Sequence, residues 1–344
     1  MARRALDAAL FLRPSDVRYF TGFTGEDALL LVAPGRAALF TDGRFAEQAA
    51  SEVDGAETVI VPSRLRGARA GLRKIRPRRV AFGGDDLSVA AHRFLAKGCP
   101  GAAWISAPDL ASSLRAVKEP REVREIEAAA AAASQALLSV LSGGTAGKTE
   151  ALLAAELEFA MRTLGADGPS FPTIVAAGER SSLPHAVPGE RIAGEGEPLL
   201  VDFGARVRGY CSDETVTLLP PRPTRELRRV YDAVLKAQEA GIAAIRPGTP
   251  CRDVDRAVRE SLDRAGYLKY FVHSTGHGVG LDIHEAPALA PRSRDRLREG
   301  MVVTVEPGIY LPGKGGVRLE DTVYVSASRA ERITYLPKGA GALP

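Results

Sequence analysis

Four carboxylates stand where a folding chain would ordinarily place hydrophobic side chains. They are Asp202 in LLVDFG, Asp213 in YCSDETV, Glu306 in VVTVEPG and Glu320 in VRLED. Their surroundings read as strands over 198–205, 210–219, 301–311 and 317–326. In an antiparallel hairpin, residues equidistant from the turn stand opposite each other on one face. The midpoint of Asp202 and Asp213 falls at 207–208, inside ARVRG, and that of Glu306 and Glu320 at Gly313, inside LPGKGG. A regular register would therefore present two cross-strand carboxylate pairs. Like charges directly opposite destabilise a sheet, and burying them is costly unless something compensates. Two divalent cations would compensate, as would raised pKa values on some of the carboxyls.

A nitrogen ligand is available in STGHGVGLDIHEAP, residues 274–287. His277 lies between Gly276 and Gly278, and glycines there let the backbone come close to something. His284 follows, next to Glu285. Four carboxylates and one imidazole are too many for one structural zinc site. They suit two octahedral or five-coordinate ions of the Mn, Co or Zn type, whereas Mg or Ca alone would rarely recruit the imidazole.

The rest of the chain supplies the frame. Up to about residue 115, strands and helices alternate: ALLLVAP (28–34) and RAALFTD (36–42) as a hairpin around Pro34-Gly35, a helix from FAEQAA (45–50), and a strand at RRVAFGG (78–84). A long helix then runs from Glu119 to the Gly143-Gly144 stop, with Pro120 in its first turn. Further helices are expected after Thr149 as far as Gly165, over about 224–245 and over about 249–265. With another strand at 171–178, helices and strands fall into separate blocks. The predicted domains are a small α/β unit over 1–117 and an α+β unit with an antiparallel sheet over 118–344.

Hydrophobic content of 45% and charged content of 26% describe an ordinary globular protein. No apolar run reaches the roughly 18 residues of a membrane span. The start, MARRALDAALFLRP, has a short apolar part broken by Asp7 and is not read as a signal peptide. Cys99, Cys211 and Cys251 are few and odd in number, which suggests a reducing, cytoplasmic setting without a disulfide framework. Cys211, near Asp213, reads as a small buried hydrophobe. The net charge is +4, and Arg64, Arg66, Arg69, Arg73, Lys74, Arg76, Arg78 and Arg79 form a basic run. Leu65, Ala68 and Leu72 can face inward from that run, so it reads as an amphipathic helix and a strand. No aromatic interleaving marks it as a nucleic-acid site. His92 reads as a packing residue.

The runs SFPTIVAAG, LPHAVP, LLVDFGARVRGYCSDETVT, HSTGHGVGLDIHEAP, GMVVTVEPGIY and GGVRLEDTVYV resemble, in order, the pita-bread metallopeptidases of the Xaa-Pro group, prolidase and aminopeptidase P. RYFTGFTGEDALLLV and ALFTDGRFAEQA resemble the creatinase/prolidase-type N-terminal domain. The resemblance implies a pita-bread fold for the second unit and hydrolysis of the bond before proline in a short peptide, by a water bridging two metals. It implies Asp202 as a ligand of one metal, Asp213 and Glu320 as bridges, and His277 and Glu306 on the second. Manganese is the expected ion, with cobalt or zinc as alternatives. His185 would contact substrate, His284 would stabilise the tetrahedral intermediate, and His273 would lie near the substrate pocket. Glu306 would also carry the nucleophile's proton. A homodimer is implied, and neither nucleic acid nor membrane is expected as a partner.

Two features depart from the family or stay open. Val216 stands in SDETVT where the family commonly has Arg, which puts local ion pairing and subsite shape in question. EAPALAP offers no Arg over 286–291 for a dipeptide's carboxylate, which leaves Arg318 in GGVRLED as a candidate for substrate contact. Two other readings use the same fold. One is an aminopeptidase of different N-terminal specificity, such as methionine aminopeptidase, which usually lacks the N-terminal domain. The other is a non-catalytic binding protein, and those tend to lose ligands. Creatinase keeps the two-domain layout without the metal set.

Overall fold

In the computed structural model, which describes residues 6–339, the apolar start of the chain is a strand. All four residues of β1 (Ala8–Phe11) are buried. The elements that follow are α1 (Pro14–Thr21), β2 (Leu29–Ala33), β3 (Arg36–Thr41), α2 (Ala46–Glu52), β4 (Glu57–Ile60), α3 (Arg64–Ile75), β5 (Arg79–Phe82), α4 (Val89–Ala96), β6 (Ala103–Ser106) and α5 (Asp109–Arg115). The strands form one mixed sheet in the order β4-β3-β2-β1-β5-β6. The expected hairpin pairs Leu29 with Phe40 and Ala33 with Arg36. The basic run is the amphipathic helix α3 followed by β5. Ala68 and Leu72 are fully buried, while Arg66, Arg73 and Lys74 face solvent. His92 packs edge-on against Trp104, with ring centroids 4.7 Å apart.

The chain divides into two units between Leu114 and Arg115. The second opens with α6 (Pro120–Ser142) and α7 (Glu150–Thr163). A capping box starts α6: the Glu122 side chain accepts from the Glu119 N–H at 2.8 Å, and Pro120 occupies the first turn. Strands β7 (Gly168–Pro169), β8 (Ile174–Ala177), β9 (Leu199–Phe203), β10 (Ala205–Val207), β11 (Tyr210–Cys211) and β12 (Glu214–Leu218) follow. Then come α8 (Arg225–Ala244) and α9 (Cys251–Arg264). The last strands are β13 (Gly276–Gly278), β14 (Glu285–Leu289), β15 (Val302–Val305), β16 (Gly308–Leu311), β17 (Gly315–Arg318), β18 (Asp321–Val325) and β19 (Ala330–Arg332). Every pairing between these strands is antiparallel. Among the described residues, no helix is long and apolar enough to cross a membrane.

The flanking register agrees with one expected carboxylate pair and corrects the other. β15 and β18 pair Val305 with Asp321, and β16 and β17 pair Gly308 with Arg318. Both ladders extrapolate to Glu306 opposite Glu320. The ladder breaks there because each acid's backbone N–H turns elsewhere: Glu306 donates to Thr275 O, just before β13, at 2.8 Å, and Glu320 donates to Thr215 O in β12 at 3.0 Å. Asp202 and Asp213 are not opposite each other, because Asp202 pairs with Thr215. The reason lies in the turn. Val207 pairs with Tyr210, leaving Arg208 and Gly209 as the two loop residues, at φ 43° and 77°. Positive φ at both central positions defines the tight hairpin turn whose twist suits antiparallel strands. That turn is centred one residue later than the midpoint of the two acids, so the register shifts by two.

Candidate metal centre

All nine residues singled out in the sequence line one cavity of about 610 Å³: Asp202, Asp213, His277, Glu306, Glu320, His185, His273, His284 and Arg318. Asp202 comes from β9, His277 from the middle of β13, and Arg318 from the end of β17. Asp213 precedes β12, Glu306 follows β15, and Glu320 joins β17 to β18. Ligand atoms of Asp213, His277 and Glu320 lie within 4.8 Å of one another.

The electrostatics call for a cation. His277 Nδ1–H donates to Gly278 O at 3.0 Å, since a carbonyl oxygen only accepts. Burial holds this imidazole neutral, lowering its pKa to about 4. Its Nε2 lone pair then faces Asp213 Oδ2 and Glu306 Oε1, each at 3.5 Å. Glu320 Oε1 is buried without a hydrogen-bond partner. Burial, then Glu320, Asp202 and Glu306, raises the Asp213 carboxyl well above its ordinary value. Burial likewise raises Glu320, with Glu306 and Asp202 adding to it. Burial pushes Glu306 up to about 8. Lone pairs and carboxylates that converge in a dry site repel each other unless protons or cations intervene. Mixed imidazole and carboxylate donors suit transition-type divalent ions, so the residues fit the expected metals.

The sequence matches metallopeptidase family M24 over residues 124–327 and the creatinase/prolidase N-terminal domain over residues 1–117. The chain belongs to metallopeptidase family M24. This M24 chain is a peptidase. It is 38% identical over 334 residues to YqhT, an uncharacterized peptidase of Bacillus subtilis strain 168, covering 97% of this chain and 95% of the relative. Among solved structures, it resembles an Xaa-Pro dipeptidase from Bacillus anthracis with a TM-score of 0.94 and 38% identity, covering 98% and 96% of the two chains. It also resembles an X-Pro aminopeptidase from Thermotoga maritima MSB8 with a TM-score of 0.89 and 33% identity, covering 97% of each chain.

Several residues of the M24 site were not singled out from the sequence. Thr215 Oγ1 lies 3.0 Å from Asp202 Oδ1 and 2.7 Å from Glu320 Oε2, so its one proton goes to one carboxylate at a time. The signal was available, because Thr215 is two residues from Asp213 and strand side chains alternate. Tyr310 was also missed. Its hydroxyl accepts from Arg318 Nη1 at 2.8 Å and donates to His273 Nε2 at 2.8 Å. The direction follows because His273 Nδ1–H donates to Ser274 O at 2.8 Å and burial keeps that ring neutral, near 4. Arg318 lines the cavity with its nitrogens engaged: Nη2 donates to Asp202 at 2.6 Å, Nε to Thr215 Oγ1 at 3.2 Å, and Nη1 also to Pro184 O at 3.2 Å.

Val216 does not line the cavity; it is buried on the opposite face of β12, in a core shared with α6 and α7. Its effect on subsite shape is therefore not direct. Cys211 is buried, and burial pushes its thiol up to about 12, as suits a small hydrophobe.

The glycines around His277 serve the sheet. A Cβ on Gly276 would collide with the backbone carbonyl of Thr304, and one on Gly278 with that of Ala286. Gly276→Ala is therefore expected to destabilise the protein by about 1–3 kcal/mol, the usual cost of overpacking against backbone. A denaturant melt with an unchanged midpoint would show that β13 can move away.

Proposed function

We propose that this M24 peptidase removes the N-terminal residue from short peptides with proline at the second position, using two divalent metals, manganese foremost. The observation that carries this is the convergence of four carboxylates and one imidazole lone pair in a cavity whose other wall is apolar. Phe171, Pro172, Ile174, Pro184 and Val187 supply that wall, which suits a prolyl ring. The reading is supported by likeness to proteins named as Xaa-Pro dipeptidase and X-Pro aminopeptidase.

Asp202, Asp213, His277, Glu306 and Glu320 would hold the two ions. Once bound, such ions polarise a carbonyl and make water nucleophilic near neutral pH. His284 stands over His277, with ring centroids 4.4 Å apart, and donates to the oxygen that becomes negative during attack. Glu306 takes the proton of the attacking water and passes it on. A prolyl nitrogen has no hydrogen in the amide, so it must gain that proton as it leaves. His185 orients the substrate from the segment that also contributes Pro184 and Val187. The enzyme is read as a cytoplasmic homodimer, and a monomeric mass by light scattering would refute the dimer.

Hydrolysis of Ala-Pro, Ala-Pro-Ala and Ala-Ala by manganese-loaded protein tests the specificity. Cleavage of a proline peptide over Ala-Ala is expected. Cutting of Ala-Pro alone assigns a dipeptidase, and cutting of the tripeptide an aminopeptidase. A preference for Ala-Ala would end the proline assignment.

A further inference from the structure

The loop that carries His284 is fastened by a buried ion cluster outside the cavity. Glu285 follows His284 and opens β14, with its side chain 4% exposed. Lys118 Nζ donates to Glu285 Oε2 at 3.1 Å. Arg115 Nη2 donates to Glu285 Oε1 and to Asp282 Oδ2, the latter at 2.7 Å. The Asp282 backbone N–H donates back to Glu285 Oε1 at 3.0 Å. Two further backbone bonds tie in the cluster's ends: Lys118 N–H to Gly300 O and Cys211 N–H to Gly280 O, both at 2.8 Å. None of Arg115, Lys118, Asp282 and Glu285 lines the cavity.

Such a cluster is an expensive way to stabilise a fold, because each buried charge loses its hydration. What it supplies is one fixed geometry. Burial by itself would raise the Glu285 carboxyl, but Lys118 and Arg115 outweigh it and hold the group below its ordinary range. The ion pairs are therefore intact at neutral pH.

We propose that Glu285, gripped by Arg115 and Lys118, is a positioning residue that fixes the His284 imidazole at the reaction site. The proposal rests on the role given to His284 above. It makes the four residues at the start of the catalytic unit, 115–118, part of the machinery that sets turnover.

Lys118→Met removes the charge and keeps an unbranched side chain one atom shorter. In metal-loaded full-length enzyme, kcat is expected to fall about 10- to 100-fold, as for other partners that orient a working histidine. KM should stay within about threefold and bound metal should match the wild type. In a His284→Ala background, the same substitution should cost no further kcat, since the group it orients is gone. An undiminished loss in that background, a loss of metal, or wild-type turnover by Lys118→Met overturns the proposal. Asp282→Asn, at the 33% exposed end of the cluster, carries the same cycle if Lys118→Met does not fold. Hydrogen exchange over 279–285 separates this inference from the proline reading. Faster exchange in the variant supports the clamp even if no Ala-Pro peptide is cut, and unchanged exchange overturns it.

Discussion

His277→Ala is expected to strip the centre of metal and activity together. The imidazole is the only nitrogen donor among the five proposed ligands, and its Nε2 lone pair already faces Asp213 and Glu306 at 3.5 Å. Losing an orienting partner of a ligand costs about 10- to 100-fold in affinity or activity, so losing the ligand itself should cost more than about 100-fold in metal affinity. Turnover should fall to background with it. Metal analysis after gel filtration, set beside peptide hydrolysis, reads both. Full metal retention by the variant would remove His277 from the ligand set.

The same centre predicts a pH dependence with a definite sign. His277 is neutral at pH 7 because burial holds it near 4, so it has no proton to release. Glu306, pushed up to about 8, does have one, and Asp213 and Glu320 are raised as well. Cations must displace those protons, so metal affinity should rise as pH increases toward about 8. Titration with manganese in weakly buffered solution should release acid. Affinity that stays flat across that range would contradict the protonated carboxyls.

His284→Ala is expected to give the second large effect, and of a different kind. Its ring packs at 80° against that of His277 and it is not one of the five proposed ligands, so metal content should remain near that of the wild type. The loss should appear in kcat, by about 100- to 1000-fold, the usual consequence of removing one donor to a developing oxyanion. Equal loss in kcat and kcat/KM would mark an interaction made only in the transition state. Normal turnover would remove the oxyanion role, and loss of metal would make His284 a ligand.

The amino-acid sequence legibly marked the cavity's acids and histidines because their chemistry is out of place in apolar strands. The facing positions of Glu306 and Glu320 were legible too, since LPGKGG closes symmetrically between them and the ladders on both sides keep one register, although the ladder itself breaks at the two acids. The Asp202–Asp213 pairing was misjudged by two residues. Composition did not reveal that Arg208 would join Gly209 at positive φ.

The sequence by itself determined the long helices of the second unit, the strand segments that carry its acids, the residue types gathered there and the family, because periodicity, caps and residue type act locally. Only the tertiary structure decided what surrounds that chemistry. Arg115 and Lys118 lie 170 and 167 residues before Glu285, and Arg318 lies 116 residues after Asp202. No local pattern encodes such pairs. They exist because burying a charge forces it to find an opposite one, and folding alone brings that partner within reach.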